Sequence, residues 1–178
     1  MIMNETLRTL KARRSIRSYR PEQIRRQELD AILEAGLYAP SAMGKQSVTL
    51  VAVQDRETIA SLSAANAEIM GAAGSDPFYG APTVVVVLAD PEATGPVNGQ
   101  RDGALVMGNL MNAAASLGVS SCWINRAQEY FEKPEGKALL KKWGLPERLQ
   151  GVGNCVLGYA DGAVPEAAPR KAGRIVRI

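Results

Sequence analysis

The spacing of apolar residues along this chain of 178 residues alternates between two periods. Some segments repeat apolar residues at helical spacing, and others are short continuous apolar runs rich in β-branched residues, which are typical of buried strands. The predicted helices cover residues 4–10, 27–37, 55–70, 101–117 and 134–143. The predicted strands cover residues 48–53, 83–89, 119–124 and 151–159. Helices and strands therefore alternate, which indicates a layered fold.

Two of these elements define the expected architecture. The run 83–89 is apolar or β-branched throughout, so we expect both faces of this strand to be buried. The helix 101–117 is apolar nearly all round, so it should lie at the domain centre or in an interface between subunits. We therefore predict one α+β domain over residues 1–178, a three-layer α-β-α sandwich with a mixed central sheet.

Composition limits the chemistry. The chain has no histidine, which removes Ser-His and Cys-His nucleophile pairs and the commonest zinc ligand. Cys122 and Cys155 lie in predicted strands, a pattern of buried thiols and not of a disulfide framework or metal site. No apolar run is long enough to span a bilayer and no secretory signal is visible, so we expect a cytoplasmic location. Chemistry must then come from a cofactor, a carboxylate or the backbone.

Positive charge is concentrated at the two ends of the chain. Residues 1–26 carry a net charge of +6 and residues 166–178 carry +3, whereas residues 27–165 carry −6. Arg13, Arg14 and Arg17 fall within five residues together with Ser15. A guanidinium group matches phosphate oxygens two at a time, although an isolated cluster of this kind is more often solvated surface. Two basic ends that both attract an anion can share one.

Four stretches, taken together, resemble the FMN-dependent nitroreductase family. They are residues 13–17 (RRSIR), 39–46 (APSAMGKQ), 102–124 (ending GVSSCWI) and 169–171 (PRK). Their order and separations fit the family over essentially the whole chain. The sequence departs from the family at Gly44, where an asparagine is common, and at Ser47-Val48, where Pro-Trp is common.

The resemblance implies a set of flavin-binding residues. It assigns the FMN phosphate to Arg13 and Ser15, helped by Arg170 or Lys171, and places Arg14 at the same wall of the site. Arg17 would reach the pyrimidine edge of the flavin, where a positive charge stabilises the anionic reduced ring. In such proteins a loop of the partner subunit covers the isoalloxazine, and its residues here are Pro40, Ser41, Ala42 and Gln46. Asn66 resembles the amide that bonds the ring, and the segment after Ile124 would bring backbone donors near N5.

Some of these residues also have a purely structural interpretation. Ser41 can cap a turn, Gln46 can be a surface residue before a strand, and Asn66 can be an amide on a helix surface. We expect the Asp102 carboxylate to cap or pair within its helix instead of transferring a proton. Phe78 and Tyr79 fit either a substrate lid or a satellite of the core.

The function implied by the resemblance is that of a flavoenzyme. It would take a hydride from NAD(P)H and reduce nitroaromatic or quinone-like acceptors with ping-pong kinetics, without a metal or a catalytic side chain. One alternative is another flavin oxidoreductase on this fold, such as a metabolite dehydrogenase or dehalogenase. The other is a non-catalytic protein that binds flavin or nucleic acid. Nucleic-acid binding is disfavoured because the basic residues are not interleaved with aromatic residues, which make up 5% of the chain.

The C-terminal tail predicts a homodimer. Pro165 and Pro169 keep the segment extended, and the run 173–178 (GRIVRI) is too short to be stable as a strand by itself. We therefore expect this strand to be exchanged between subunits and to pair with an edge of the partner's sheet. The exchange would carry Arg170 and Lys171 toward the flavin phosphate.

Overall fold

The structure, a computed structural model, describes residues 2–178. The helices are α1 (Glu5–Ala12), α2 (Arg26–Leu37), α3 (Arg56–Ile69), α4 (Pro91–Thr94), α5 (Pro96–Ser116), α6 (Ala127–Glu132) and α7 (Pro134–Lys142). The strands are β1 (Val48–Val53), β2 (Thr83–Ala89), β3 (Ser120–Ile124) and β4 (Gln150–Gly158). A short 3-10 helix spans Ala42–Gly44. Each predicted helix and each predicted strand before the C-terminal tail is present.

The four strands form one sheet in the order β1-β2-β4-β3, and every neighbouring pair is antiparallel. Parallel pairing among the described residues is limited to a bridge between Ser15 and Ser121. The predicted mixed sheet is therefore corrected to an antiparallel one with a parallel bridge beside β3. Val53 pairs with Val84, so α3 and residues 70–82 return to the end of the sheet that they left and do not cross over it.

The three-layer arrangement is confirmed by the central strand. All seven residues of β2 are buried, and alternate side chains face opposite layers. Val84, Val86 and Leu88 pack in the core that includes side chains of α3, α6 and α7. Val85 and Val87 pack in the core that includes side chains of α2 and α5. The sheet therefore separates two hydrophobic cores.

Helix α5 lies unusually close to its neighbours because glycines face them. A Cβ atom added to Gly36 of α2 would lie 2.6 Å from Cδ2 of Leu110. One added to Gly103 would lie 2.5 Å from Cγ2 of Val152 in β4. The opposite side of α5 is partly exposed, and Leu105 there is 49% exposed. The helix is thus buried against the sheet on one side and available for an interface on the other.

Local signals explain the helix boundaries. The Oδ1 atom of Asn4 accepts a hydrogen bond from the amide of Leu7 at 2.9 Å, and Asp55 caps α3 in the same way through Thr58. Helix α5 begins at Pro96, five residues earlier than predicted, because Gly95 adopts a φ of 78° and proline suits the first helical position. The short helices α4 and α6 were not predicted.

The tail does not form a strand in the single chain. Residues 161–178 are exposed, and Ile175 and Val176 retain 75% and 79% of their accessible surface. Exchange of this segment between subunits stays a prediction. Among residues 2–178, no helix combines the length and the hydrophobicity needed to cross a membrane.

A buried carboxylate ties α2 to the end of the sheet. Glu28 is buried in the first turn of α2, and its Oε2 atom accepts hydrogen bonds from the amide of Arg25 at 2.9 Å and the hydroxyl of Tyr159 at 2.6 Å. Its Oε1 atom accepts a bond from the Arg25 guanidinium. Hydrogen bonding from Arg25, reinforced by Tyr159, lowers the pKa of Glu28 to about 2.

We expect Glu28→Gln to destabilise the protein by about 1–3 kcal/mol at pH 7, since charged hydrogen bonds of a buried group are lost. The pKa of Glu28 is lower in the folded than in the unfolded chain, so its stabilisation is complete above the ordinary value of 4.5 and disappears as the pH falls toward 2. Denaturant unfolding at pH 7 and at pH 3 measures both effects. Glu34→Gln, on the exposed side of the same helix, is the control. A Glu28→Gln variant with an equal deficit at both pH values would contradict this account.

Candidate functional site

Three arginines converge on a cavity of about 320 Å³ where α1 meets α5 and the start of β3. Arg8, Arg13 and Arg14 line it together with the hydroxyl residues Ser120 and Ser121. The Oγ atom of Ser121 and the Nε atom of Arg14 are buried and have no hydrogen-bond partner among the described residues. Buried donors without partners are rare in folded proteins. The cavity therefore offers positive charge and free donors to an anion.

The end of α1 places the arginine cluster beside β3. The helix closes where the amide of Arg13 donates to the carbonyl of Thr9 at 2.9 Å, and the chain then becomes extended. The amide of Ile16 donates to the carbonyl of Ser121 at 3.0 Å, and the Ile16 side chain is buried. One backbone hydrogen bond and one apolar anchor thus hold this segment along the outer edge of β3.

The side chains of this segment surround a buried thiol. Arg17, Ser15 and Arg13 all lie close enough to Cys122 to act on its thiol. Burial raises the pKa of Cys122 although Arg17, Ser15 and Arg13 oppose this effect. The thiol is therefore protonated at neutral pH and is not an activated nucleophile. The guanidinium of Arg13 also contacts the sulfur of Met111 in α5 at 3.8 Å.

The loop between α2 and β1 is fastened to the other half of α5. One carboxylate oxygen of Asp102 accepts a hydrogen bond from the amide of Ala42, and the other accepts one from the hydroxyl of Ser47, each at 2.9 Å. The hydroxyl of Ser41 accepts a hydrogen bond from the amide of Gln46 at 2.9 Å, so Ser41 has a structural role within this loop, and its contact with a flavin stays a prediction. The expectation that Asp102 pairs within its own helix was wrong, since its partners lie in this loop.

The loop and the arginine cluster do not meet within one chain. Asp102 holds the loop and Met111 contacts Arg13, and these residues lie nine positions apart on α5. Nine residues are two and a half turns, so the two side chains leave the helix on opposite sides, about 13 Å apart along its axis. One chain therefore presents the two halves of the predicted site in separate places.

A sequence comparison identifies the family. The family model described as the nitroreductase family matches residues 10–159. The chain belongs to the nitroreductase family. Within the family, a protein of Archaeoglobus fulgidus named as an NADH dehydrogenase/NAD(P)H nitroreductase is 31% identical over 159 residues, which cover 88% of this chain and 86% of the relative.

Solved nitroreductase structures share the fold over nearly the whole chain. A nitroreductase with bound FMN from Bacteroides fragilis is 36% identical and superposes with a TM-score of 0.89, covering 99% of this chain and all of the other. A nitroreductase with bound FMN from Desulfitobacterium hafniense is 25% identical, with a TM-score of 0.87 and coverage of 99% and 100%. The α+β prediction is confirmed by this similarity.

Other predicted site residues of this nitroreductase-family chain lie apart from the cavity. Asn66 is fully buried, donates to the carbonyl of Leu62 at 2.8 Å and accepts a bond from Asn154 at 3.3 Å. The structure does not bring Asn66 to the arginine-lined cavity. A flavin contact by Asn66 therefore stays a prediction. Phe78 belongs to the core and Tyr79 packs against it, which favours the core interpretation of this pair over a lid.

The tail residues predicted to bind phosphate are exposed. Arg170 and Lys171 do not line the cavity, although Val164, earlier in the same tail, does. Sequence reasoning missed Arg8, Ser120 and Ser121 as cavity residues. Two signals could have identified them. Ser120 and Ser121 are hydroxyl residues at the start of an otherwise apolar strand, and Arg8 is a basic residue in α1, just before the arginine cluster.

Proposed function

We propose that this protein is an FMN-dependent oxidoreductase that oxidises NAD(P)H and reduces nitroaromatic or quinone-like acceptors. The arginine-lined cavity is the observation that carries this proposal, because it gathers three guanidinium groups and two serine hydroxyls, the donors that a phosphate monoester takes. The Bacteroides fragilis nitroreductase, which contains bound FMN, supports the choice of cofactor. The name of the Archaeoglobus fulgidus relative supports the choice of electron donor.

The chain's own groups fit the phosphate end of FMN. Guanidinium groups of Arg8, Arg13 and Arg14 would supply charge-assisted hydrogen bonds, which are stronger than neutral ones. The unpaired Oγ atom of Ser121 would gain the partner that it lacks. A phosphate carries nearly two negative charges at pH 7, so it also relieves the mutual repulsion of three arginines.

The remaining roles concern the flavin ring. Bound FMN would supply the redox chemistry by accepting a hydride from NAD(P)H and passing the electrons to the second substrate, from which ping-pong kinetics are expected. Arg17 lies on the same segment as Arg13 and close enough to influence Cys122, so its charge would favour the more negative state of the ring. Ser15, in the same segment, would add a hydroxyl group to the phosphate contacts beside Arg13.

We infer that the active unit is a homodimer. Exposed apolar side chains flank the outer side of α5, and Tyr38 and Met43 remain 80% and 79% exposed, with Leu37 and Leu105 about half exposed. Apolar patches of this kind mark protein interfaces. A two-fold axis across α5 would exchange the ends of the helix. It would thereby carry the partner's loop, including Pro40, to this chain's arginine cluster and assemble the site from two chains.

The function is tested by purifying the protein and identifying its chromophore. We expect a yellow protein whose heat-released chromophore is FMN, and activity with NADH or NADPH in a panel of nitroaromatic and quinone acceptors. A protein that neither retains nor binds FMN would refute the proposal. FMN binding with turnover of a halogenated or saturated metabolite alone would favour the dehalogenase or dehydrogenase alternative.

Arg13→Ala is expected to raise the dissociation constant for FMN by about 10- to 100-fold, since it removes one or two charge-assisted bonds to the phosphate. Riboflavin, which lacks the phosphate, should bind this variant as it binds the wild type. Fluorescence titration of the apoprotein measures both constants. Arg26→Ala is the matched control, because Arg26 is an exposed residue of α2 that pairs with Asp30. Equal losses for FMN and riboflavin would remove Arg13 from the phosphate site.

Deleting the residues after Ala168 is expected to weaken the dimer and FMN binding together. Burial of Ile175 and Val176 against a partner would contribute at most about 1.5–3 kcal/mol each, and Arg170 and Lys171 would be lost from the phosphate. Light scattering and FMN titration at several protein concentrations measure the two effects. In the full chain, Arg170→Ala with Lys171→Ala should affect only FMN binding. A truncated dimer with native FMN affinity would show that the tail has neither role.

A further inference from the structure

We propose that Asp102 is a positioning residue that fixes the shape of the loop 41–47, and that this shape sets the affinity for the flavin ring. The inference rests on the proposed function, in which the loop of one chain covers the ring bound by its partner. The Asp102 carboxylate on α5 would act as a tether: it touches no substrate and acts through its hydrogen bonds to the loop.

The tether joins both ends of the loop to one rigid helix. Asp102 accepts from the amide of Ala42 at the start of the loop and from the hydroxyl of Ser47 at its end. Helix α5 is itself fixed against β4 by the close approach of Gly103, the next residue, to Val152. A displacement of the loop relative to α5 must therefore break at least one hydrogen bond to a buried charge.

The loop needs such a restraint because its backbone is strained. Met43 and Gln46 adopt φ angles of 53° and 49°, and Gly44 adopts 65°. Residues other than glycine rarely occupy this left-handed region, and each such residue costs free energy. The Met43 side chain is exposed, so no packing of its own holds it in place. The restraint comes from hydrogen bonds, including the one from the amide of Gln46 to Ser41.

The burial of Asp102 also indicates a dedicated role. Its side chain is 4% exposed, and no ion pair with it occurs among residues 2–178. A buried carboxylate without a cation is costly and depends on its hydrogen bonds. Both bonds described here come from the loop, so the carboxylate and the loop stabilise one another. An asparagine has the same shape but accepts through only one of its two terminal atoms.

Asp102→Asn separates this role from phosphate binding. We expect the dissociation constants for FMN and for riboflavin to rise by the same factor, about tenfold, because the loop contacts the ring that both ligands share. Arg13→Ala, in contrast, should discriminate between the two ligands. Fluorescence titrations of the apoprotein with each flavin measure the factor without any assay of turnover.

Trypsin cleavage measures how well the loop is held, because Lys45 is an exposed residue within it. We expect cleavage after Lys45 to be several-fold faster in Asp102→Asn than in the wild type. Cleavage after Lys171 in the exposed tail is the internal reference. Asp55→Asn is the matched control, since Asp55 also accepts two hydrogen bonds but caps α3 at the opposite end of β1 from the loop. This control should leave flavin affinity and Lys45 cleavage unchanged.

Folded Asp102→Asn protein with wild-type flavin affinity, or with unchanged cleavage after Lys45, would overturn the proposal. If that variant does not fold, Ser47→Ala removes one of the two bonds and should give a smaller change in the same direction on both measurements. No change in Ser47→Ala would then overturn the proposal. A wild type that binds neither flavin would refute the proposed function itself. Loss of loop protection in Asp102→Asn would still establish the tether in that case.

Discussion

The close packing of α5 on the sheet is the constraint on which the rest of the structure depends. Gly103 lets the helix approach Val152 in β4, and Gly36 lets α2 approach Leu110 of the same helix. A Cβ atom at Gly103 would meet the branched side chain of Val152, and one at Gly36 would force the Leu110 side chain to shift. Because α5 is packed this closely against β4 and α2, groups that bind to α5 are held in fixed positions relative to the sheet. Asp102 in its first half holds the loop before β1, and Met111 in its second half contacts Arg13.

The polar groups of the molecule are divided between closed and open arrangements. Glu28 is enclosed by Arg25 and Tyr159, and its hydrogen bonds lie within the chain. The arginine cavity is different, because the hydroxyl of Ser121 and the Nε–H of Arg14 have no hydrogen-bond partner. Its charged residues, three arginines, are all positive. A folded chain tolerates such an arrangement where a ligand completes it. The contrast between the two clusters supports the proposal that the cavity binds an anion.

Much of this structure could be predicted from the sequence because its signals are local. The β-branched run of β2 and the capping residues Asn4 and Asp55 determine elements without reference to distant residues. The antiparallel direction of β2 relative to β1 could not be predicted from local signals, because it depends on how α3 and residues 70–82 return to the sheet. The same holds for the site. Arg13 and Ser15 were visible in one motif, whereas the contribution of Arg8 exists only after α1 has packed against α5 and β3.

The pairing of the two central strands has a consequence for how the chain folds during synthesis. Val85 of β2 pairs with Cys155 of β4, which follows it by 70 residues. When β2 leaves the ribosome, β1 is available for one edge, but the other edge must wait until β4 has been made. During that interval an apolar strand with an open edge is exposed to other nascent chains, which is the condition that favours aggregation. Such long-range pairing also slows folding. The order of the strands in the sheet thus makes the second half of translation the vulnerable period for this protein.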